Sequence, residues 1–164
     1  MIRGIHHTSF STQNFDRLVH FYRDLIGLEF VASYDWDEHS PEHDKLDRIV
    51  GLKKSATRTA LLRAGNTHVE IFEYVNPKGK DNESNRPACD AGLTHVAFDV
   101  VDIFAEYERL KKAGVKFHTE PQVVGMFRAT YGRDADGNIF ELQEVMDSKD
   151  PVSLTNLIPN LAKT

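Results

Sequence analysis

The stretch GIHHTSFST (residues 4–12) reads as a strand carrying two adjacent histidines, and GLTHVAFDV (92–100) repeats it at an offset of 88 residues. Gly4 aligns with Gly92, Ile5 with Leu93, His7 with His95 and Phe10 with Phe98, whereas His6 meets Thr94. Strand side chains alternate between faces, so His6 and His7 are expected to point opposite ways. His7 is the histidine that the repeat retains. Self-similarity of this kind marks a chain assembled from like units.

Each of the two strands is followed by a helical pattern. In NFDRLVHFYRDLIGLEF, the residues Phe15, Leu18, Val19, Tyr22 and Leu25 or Ile26 keep the spacing of one apolar helix face. Ile103, Phe104, Tyr107 and Leu110 do the same in DIFAEYERLKKAGVKF. A glycine, Gly27 or Gly114, ends each helix. A short strand follows (LEFVASY or VKFHT), then RTALLRA and HVEIFEY in the first half, FRATYGRD and NIFELQEV in the second. The turns AGNT and DADGN precede the last strands. The expected fold class is α+β, with two tandem βαβββ modules. Residues 1–74 form the first, with an inserted loop at 35–57, and residues 92–146 form the second. A polar linker, 75–91, joins them, and a tail, 147–164, either packs as an arm or frays as a terminus. Ser40-Pro41-Glu42 reads as a helix start inside the insertion. That insertion is either a surface excursion or a lid over a site.

Composition bounds the function. The chain has 164 residues, 40% hydrophobic and 27% charged, which is the profile of an ordinary globular protein. A net charge of −5 argues against a nucleic-acid partner, which favours a basic stripe. No apolar run approaches the roughly 20 residues of a membrane helix. The opening MIRGIHH lacks the layout of a signal peptide, and the single Cys89 cannot form an internal disulfide. The expectation is a cytoplasmic protein with a small-molecule substrate, no nucleic acid and no membrane.

The last strands repeat as well: HVEIFEY lies over IFELQEV with Glu70 against Glu141. Alternation puts His68, Glu70, Phe72 and Tyr74 on one face, and Glu141 with Gln143 on the corresponding one. A carboxylate among apolar residues is costly to bury unless it is paired or bound to a metal. If the halves are related by a pseudo-twofold, His7, Glu70, His95 and Glu141 converge. Two imidazoles and two carboxylates suit a divalent first-row ion, and their formal charge of about −2 neutralises it.

These motifs, spanning about residues 4–146, resemble the vicinal-oxygen-chelate superfamily, which includes glyoxalase I, methylmalonyl-CoA epimerase and the extradiol dioxygenases. The resemblance implies paired βαβββ modules in a curved mixed sheet around one divalent ion per chain, with Ni, Co, Mn, Fe and Zn all acceptable. It implies His7, Glu70, His95 and Glu141 as the ligands, and Glu141, or Glu70 by symmetry, as the catalytic base, since a last-strand glutamate takes the proton in the family's isomerases. It also implies a homodimer. The expected activity is that of a metal-dependent isomerase or epimerase, or of a glyoxalase-like lyase, which abstracts a proton α to a carbonyl through a metal-stabilised enolate or enediolate.

Bacterial glyoxalase I carries an arginine four residues after the first histidine and an asparagine four after the first glutamate. Ser11 and Tyr74 stand there instead. The epimerase carries a glutamine where Glu70 stands. The alternatives are a non-haem iron extradiol dioxygenase, with His118 and Tyr131 as its supporting groups, and a small-molecule binding protein of the same fold. Arg128, Phe127 and Trp36 are the substrate-binding candidates, with Arg58 and Arg63 more readily read as surface ion pairs. His39 and His43, four apart, read as a polar helix face or a metal clasp, and His68 as a neighbour of the ligands or a strand-end histidine.

Overall fold

The computed structural model describes residues 1–82 and 85–157. Residues 158–164, part of the expected tail, lie outside the described residues. The chain divides into two compact units, Met1–Asn82 and Glu83–Thr164, with the division inside the 75–91 stretch. Each unit builds its own mixed sheet.

In the first unit the strands β1 (His7–Ser11), β2 (Glu29–Ala32), β3 (Ala56–Ala64) and β4 (Thr67–Asn76) are ordered β1-β4-β3-β2. β1 runs parallel to β4, while β3 is antiparallel to both of its neighbours. A parallel pair needs a long crossover, and helix α1 (Phe15–His20) with its continuation supplies it. Asn14 caps the helix by accepting the N–H of Arg17 at 3.1 Å. Leu18, Tyr22, Phe10, Val69 and Ile71 form the core on the helix side of the sheet.

The helix does not keep its pitch. From Phe21 to Leu25 it widens into a π-helical turn, in which the N–H of Ile26 reaches the carbonyl of Phe21, five residues back, at 2.9 Å. Phe21 and Tyr22 are both buried at the start of this turn, Phe21 three positions after Leu18 and Tyr22 three after Val19. Gly27, at φ +94°, then breaks the helix in a conformation suited to glycine.

The second unit repeats the plan with one addition. Its strands β5 (His95–Asp99), β6 (Lys116–Phe117), β8 (Phe127–Arg133) and β9 (Ile139–Val145) are ordered β5-β9-β8-β6, and a short strand, β7 (Gln122–Val124), also pairs with β8. Helix α3 (Ile103–Lys112) makes the crossover, burying Ile103, Tyr107 and Leu110. Phe104, expected on that face, is 46% exposed. The DADGN turn is held by Asp134, which accepts the N–H groups of Asp136 and Asn138, each at 2.9 Å. The short helix α4 (Leu154–Leu157) begins the tail. No helix among the described residues is long and apolar enough to cross a membrane.

The insertion contains helix α2 (His43–Val50), which starts after the expected Ser40-Pro41-Glu42. Ser40 instead closes a turn: its Oγ accepts the N–H of Asp37 at 2.9 Å and donates to the Asp37 carboxylate. Proline and the left-handed Glu42 (φ +62°) finish the turn before helical backbone begins.

Packing in the second sheet is tight where Gly132 crosses Phe140. A Cβ at Gly132 would lie 2.5 Å from Phe140 Cζ and 3.1 Å from Phe117 Cδ1, and Phe140 is fully buried. Gly132→Ala should lower stability by about 1–3 kcal/mol, the usual cost of overpacking. An unchanged urea midpoint would refute this.

Candidate functional site

The parallel pairing of first and last strand sets the geometry of both units. β1 and β4 are in register with His7 opposite His68, so Glu70 lies two residues along the neighbouring strand on the same face. β5 and β9 repeat this with His95 opposite Ile139 and Glu141 two residues along. The result is one His–Glu pair in each unit. His7 Nε2 lies 3.3 Å from Glu70 Oε2, and His95 Nε2 lies 3.0 Å from Glu141 Oε2. Both pairs occupy the face opposite the crossover helix, because Val69, Ile71, Phe140 and Leu142 take the helix side.

The two pairs have different surroundings. Across the first sheet the row through Glu70 is Ala32, Leu61, Glu70 and Ser9. Across the second, the row is His118, Tyr131, Glu141 and Ala97; the N–H of His118 bonds to Tyr131 O at 2.8 Å. The Tyr131 ring lies 4.7 Å from that of His95 and 6.1 Å from that of His118. Burial pushes the Glu141 carboxyl up, partly opposed by His95. Burial and the Glu141 charge push the Tyr131 phenol up in turn, so it remains a neutral donor. Tyr74, stacked on Phe72 at 5.6 Å, is raised by burial and then by Glu70.

Among the described residues no group of three or more His, Cys, Asp or Glu is placed to hold a metal ion. Each pair nonetheless fits half of a divalent site. In both, an imidazole Nε2 and a carboxylate oxygen face each other within the range an interposed cation would draw on. The His95 Nδ1 is buried without a hydrogen-bond partner, whereas its Nε2 faces Glu141.

Three sequence expectations meet a different arrangement. Arg128 is placed on the helix face, opposite Glu144 rather than beside Glu141. Its Nη1 lies 3.0 Å from Glu144 Oε2 and its guanidinium rests over Phe104. Strand alternation dictates this, since Arg128 lies an odd number of positions, three, before Tyr131; Phe127, opposite Val145, does share the Glu141 face. His6 does not turn away. It precedes the first paired residue of β1, where alternation has no hold, and its Nδ1 lies 2.8 Å from His7 Nδ1. His43 is not on a solvated face: its ring is largely buried, with Nε2 3.1 Å from Ser55 O, while His39 is exposed and lies outside the helix. Arg58 pairs with Asp16 and Glu73, and Arg63 with Glu29.

The insertion is built onto the Glu70 face. Thr59 on β3 donates its N–H to Asp35 at 2.6 Å, and its hydroxyl accepts the N–H of Tyr34 at 2.6 Å. Trp36 packs edge-on against Phe72 at 5.8 Å and donates to Ser55 Oγ at 2.8 Å. A shallow cleft of about 280 Å³ lies among Asp35, Trp36, Asp37 and Thr57. Asp47 ties the far end down by accepting the N–H groups of Lys54 and Ser55 at 2.6 and 2.9 Å. No sequence signal singled out Ser55, the fully buried hub of these contacts.

The comparisons with known proteins agree with this plan. The chain belongs to the Glyoxalase/Bleomycin resistance protein/Dioxygenase superfamily, whose family model matches residues 4–142. It is 31% identical over 125 residues to a 2-epi-5-epi-valiolone epimerase from an Actinomyces species, a match covering 74% of this chain and 65% of the epimerase. It is 22% identical to a probable lactoylglutathione lyase from Synechocystis, over 88% of this chain and 97% of that one. A glyoxalase family protein from Bacillus cereus shares the fold with a TM-score of 0.77 at 21% identity, covering 90% of this chain and 97% of the other. The fosfomycin resistance protein FosX from Listeria monocytogenes, solved with Mn(II) and sulfate, has a TM-score of 0.58 at 19% identity, with coverages of 88% and 93%.

Hydrogen bonds from Ser55, and then from Lys54, hold the Asp47 carboxyl below its ordinary range despite its burial, with a smaller pull from His43. A depressed carboxyl stabilises the fold above its unfolded pKa, about 4, and the contribution is lost as pH falls through the lower folded value. Asp47→Ala should therefore reduce amide-exchange protection at Lys54 and Ser55 at neutral pH. The difference from wild type should shrink on acidification; equal protection at neutral pH would refute the anchoring role.

Proposed function

We propose that this chain is a metal-dependent isomerase or epimerase, glyoxalase-like in the broad sense, which removes a proton from the carbon next to a carbonyl. The observation that carries the reading is the same His–Glu pair at the same register in both units. In this reading His7, Glu70, His95 and Glu141 together hold one divalent ion. Such an ion supplies Lewis acidity at a substrate oxygen, lowering the cost of charge that develops there.

The residues of the chain do the rest. Glu141 takes the α-proton, and the buried setting that raises its carboxyl suits a base working near neutral pH. Glu70, in the plainer row of Leu61 and Ser9, is a ligand only. The Tyr131 phenol donates to a second substrate oxygen beside the reacting carbon. Trp36 and Phe127 wall the substrate, while Arg128 is committed to Glu144. The substrate class is a small hydroxylated carbonyl compound, a reading supported by the name of the epimerase relative. We further propose that the working form is a homodimer; light scattering that reports a monomer at micromolar concentration would refute it.

The His118–Tyr131 pair beside Glu141 also favours a second reading, an iron-dependent extradiol dioxygenase. One set of measurements separates the two. Metal-loaded protein is incubated in deuterium oxide with 2-hydroxy ketones, 2-oxoaldehydes and acyl-CoA thioesters, and iron-loaded protein is followed with catechols on an oxygen electrode. The isomerase should place deuterium at the α-carbon without consuming oxygen. Glu141→Gln should slow that exchange about 10²–10⁴-fold, and His95→Ala should remove most of the metal by elemental analysis. Catechol-dependent oxygen uptake at enzymatic rates would overturn the isomerase reading.

A further inference from the structure

We propose that His6 is a positioning residue for His7, holding that ring in the one tautomer that leaves Nε2 free for a metal ion. The inference rests on the metal reading above and adds to it a residue that the repeat does not retain.

An imidazole that ligates through Nε2 must carry its proton on Nδ1, and that N–H needs an acceptor. His7 Nε2 is the nitrogen facing Glu70, at 3.3 Å. Its Nδ1 lies 2.8 Å from His6 Nδ1, so one ring donates and the other accepts. When His7 Nε2 ligates a cation, His7 is the donor and His6 carries its own proton on Nε2; with no cation bound, the Glu70 carboxylate favours a proton on His7 Nε2 instead.

His6 is itself held in place. Its carbonyl accepts the backbone N–H of His68 at 3.2 Å and the Thr67 hydroxyl at 3.0 Å, and lies 3.2 Å from His68 Nδ1. The His6 ring stacks on His68 with centroids 5.2 Å apart and 28° between planes, and meets the His7 ring edge-on at 5.1 Å. The contacts run in series: His68 fixes His6, His6 fixes the Nδ1 edge of His7, and the other edge of His7 faces Glu70.

The second unit supplies a contrast. Thr94 stands at the position of His6, and the buried Nδ1 of His95 has no hydrogen-bond partner. A neighbouring side chain thus meets the Nδ1 edge of the histidine in the first unit, and none among the described residues does so in the second.

The test uses the full chain as wild type, His6→Ala and His6→Asn, with Zn(II) alone as the probe in competition with a chromophoric chelator. His6→Ala should weaken Zn(II) binding about 10–100-fold, the usual cost of losing a partner of a metal-ligating histidine. His6→Asn, whose amide oxygen can accept from His7 Nδ1–H, should recover most of that loss. In Zn(II)-saturated protein, proton–nitrogen correlation spectra should show the His7 Nδ1–H as a slowly exchanging signal in the wild type and lose it to solvent exchange in His6→Ala, a change that a purely structural role would not produce. Equal Zn(II) affinity in wild type and His6→Ala, or the same His7 Nδ1–H signal in both, would overturn the proposal and leave the metal reading standing. Wild-type protein that takes up no Zn(II) would overturn the metal reading, and this proposal with it.

Discussion

Pairing the first strand of each unit directly and in parallel with its last is the constraint from which the site descends. A parallel neighbour cannot be reached by a tight turn, so a helix must cross over, and that helix claims one face of the sheet for the core. The other face is left for side chains that a core would reject. In both units that face carries a histidine at the start of the first strand and a glutamate two residues along the last. The offset is the same in both, so the two pairs arise from one backbone solution used twice. Hydrophobic burial on one side of each sheet thus decides where the polar chemistry on the other can sit.

Most of this plan was legible in the sequence because period and parity are local properties. The apolar spacing in Leu18, Val19 and Tyr22, the glycine stops, and the shared parity of His68, Glu70, Phe72 and Tyr74 each follow from backbone geometry. The departures occur where a local rule stops applying. His6 precedes the first paired residue of β1, so hydrogen bonds to His68 and Thr67 place it, not alternation. Ser40 spends its hydroxyl on Asp37, which delays the helix that Pro41 would otherwise open. Arg128 is a different case: its parity was readable, and counting from Tyr131 puts it on the helix side with Glu144.

The insertion shows what the sequence could not supply. Its polar composition is that of any surface excursion, yet it buries Thr57 and Thr59, which are 4% and 2% exposed. Side-chain hydrogen bonds of Ser33, Asp35 and Trp36, with Asp35 as an acceptor, take over where the pairing of β2 with β3 ends at Ala32. Such long-range anchoring leaves no periodic trace, because each contact joins residues about 20 or more positions apart. The excursion is held by Ser55 and Asp47 at one end and by Trp36 on Phe72 at the other.

Repetition followed by divergence gives the two units unequal surroundings. Both keep a histidine and a glutamate at the same register. Around those fixed points the neighbours part ways. The first unit surrounds Glu70 with Leu61, Ser9 and Ala32, none of which is an acid or base near neutral pH. The second surrounds Glu141 with Tyr131 and His118, groups that can donate, accept and orient. A base works best beside groups that fix the proton's path and in a setting that raises its own affinity for that proton. In the reading proposed above, Glu141 has both. The histidines differ as well: the His7 side chain is 41% exposed, whereas that of His95 is 27% exposed and packs against Tyr131.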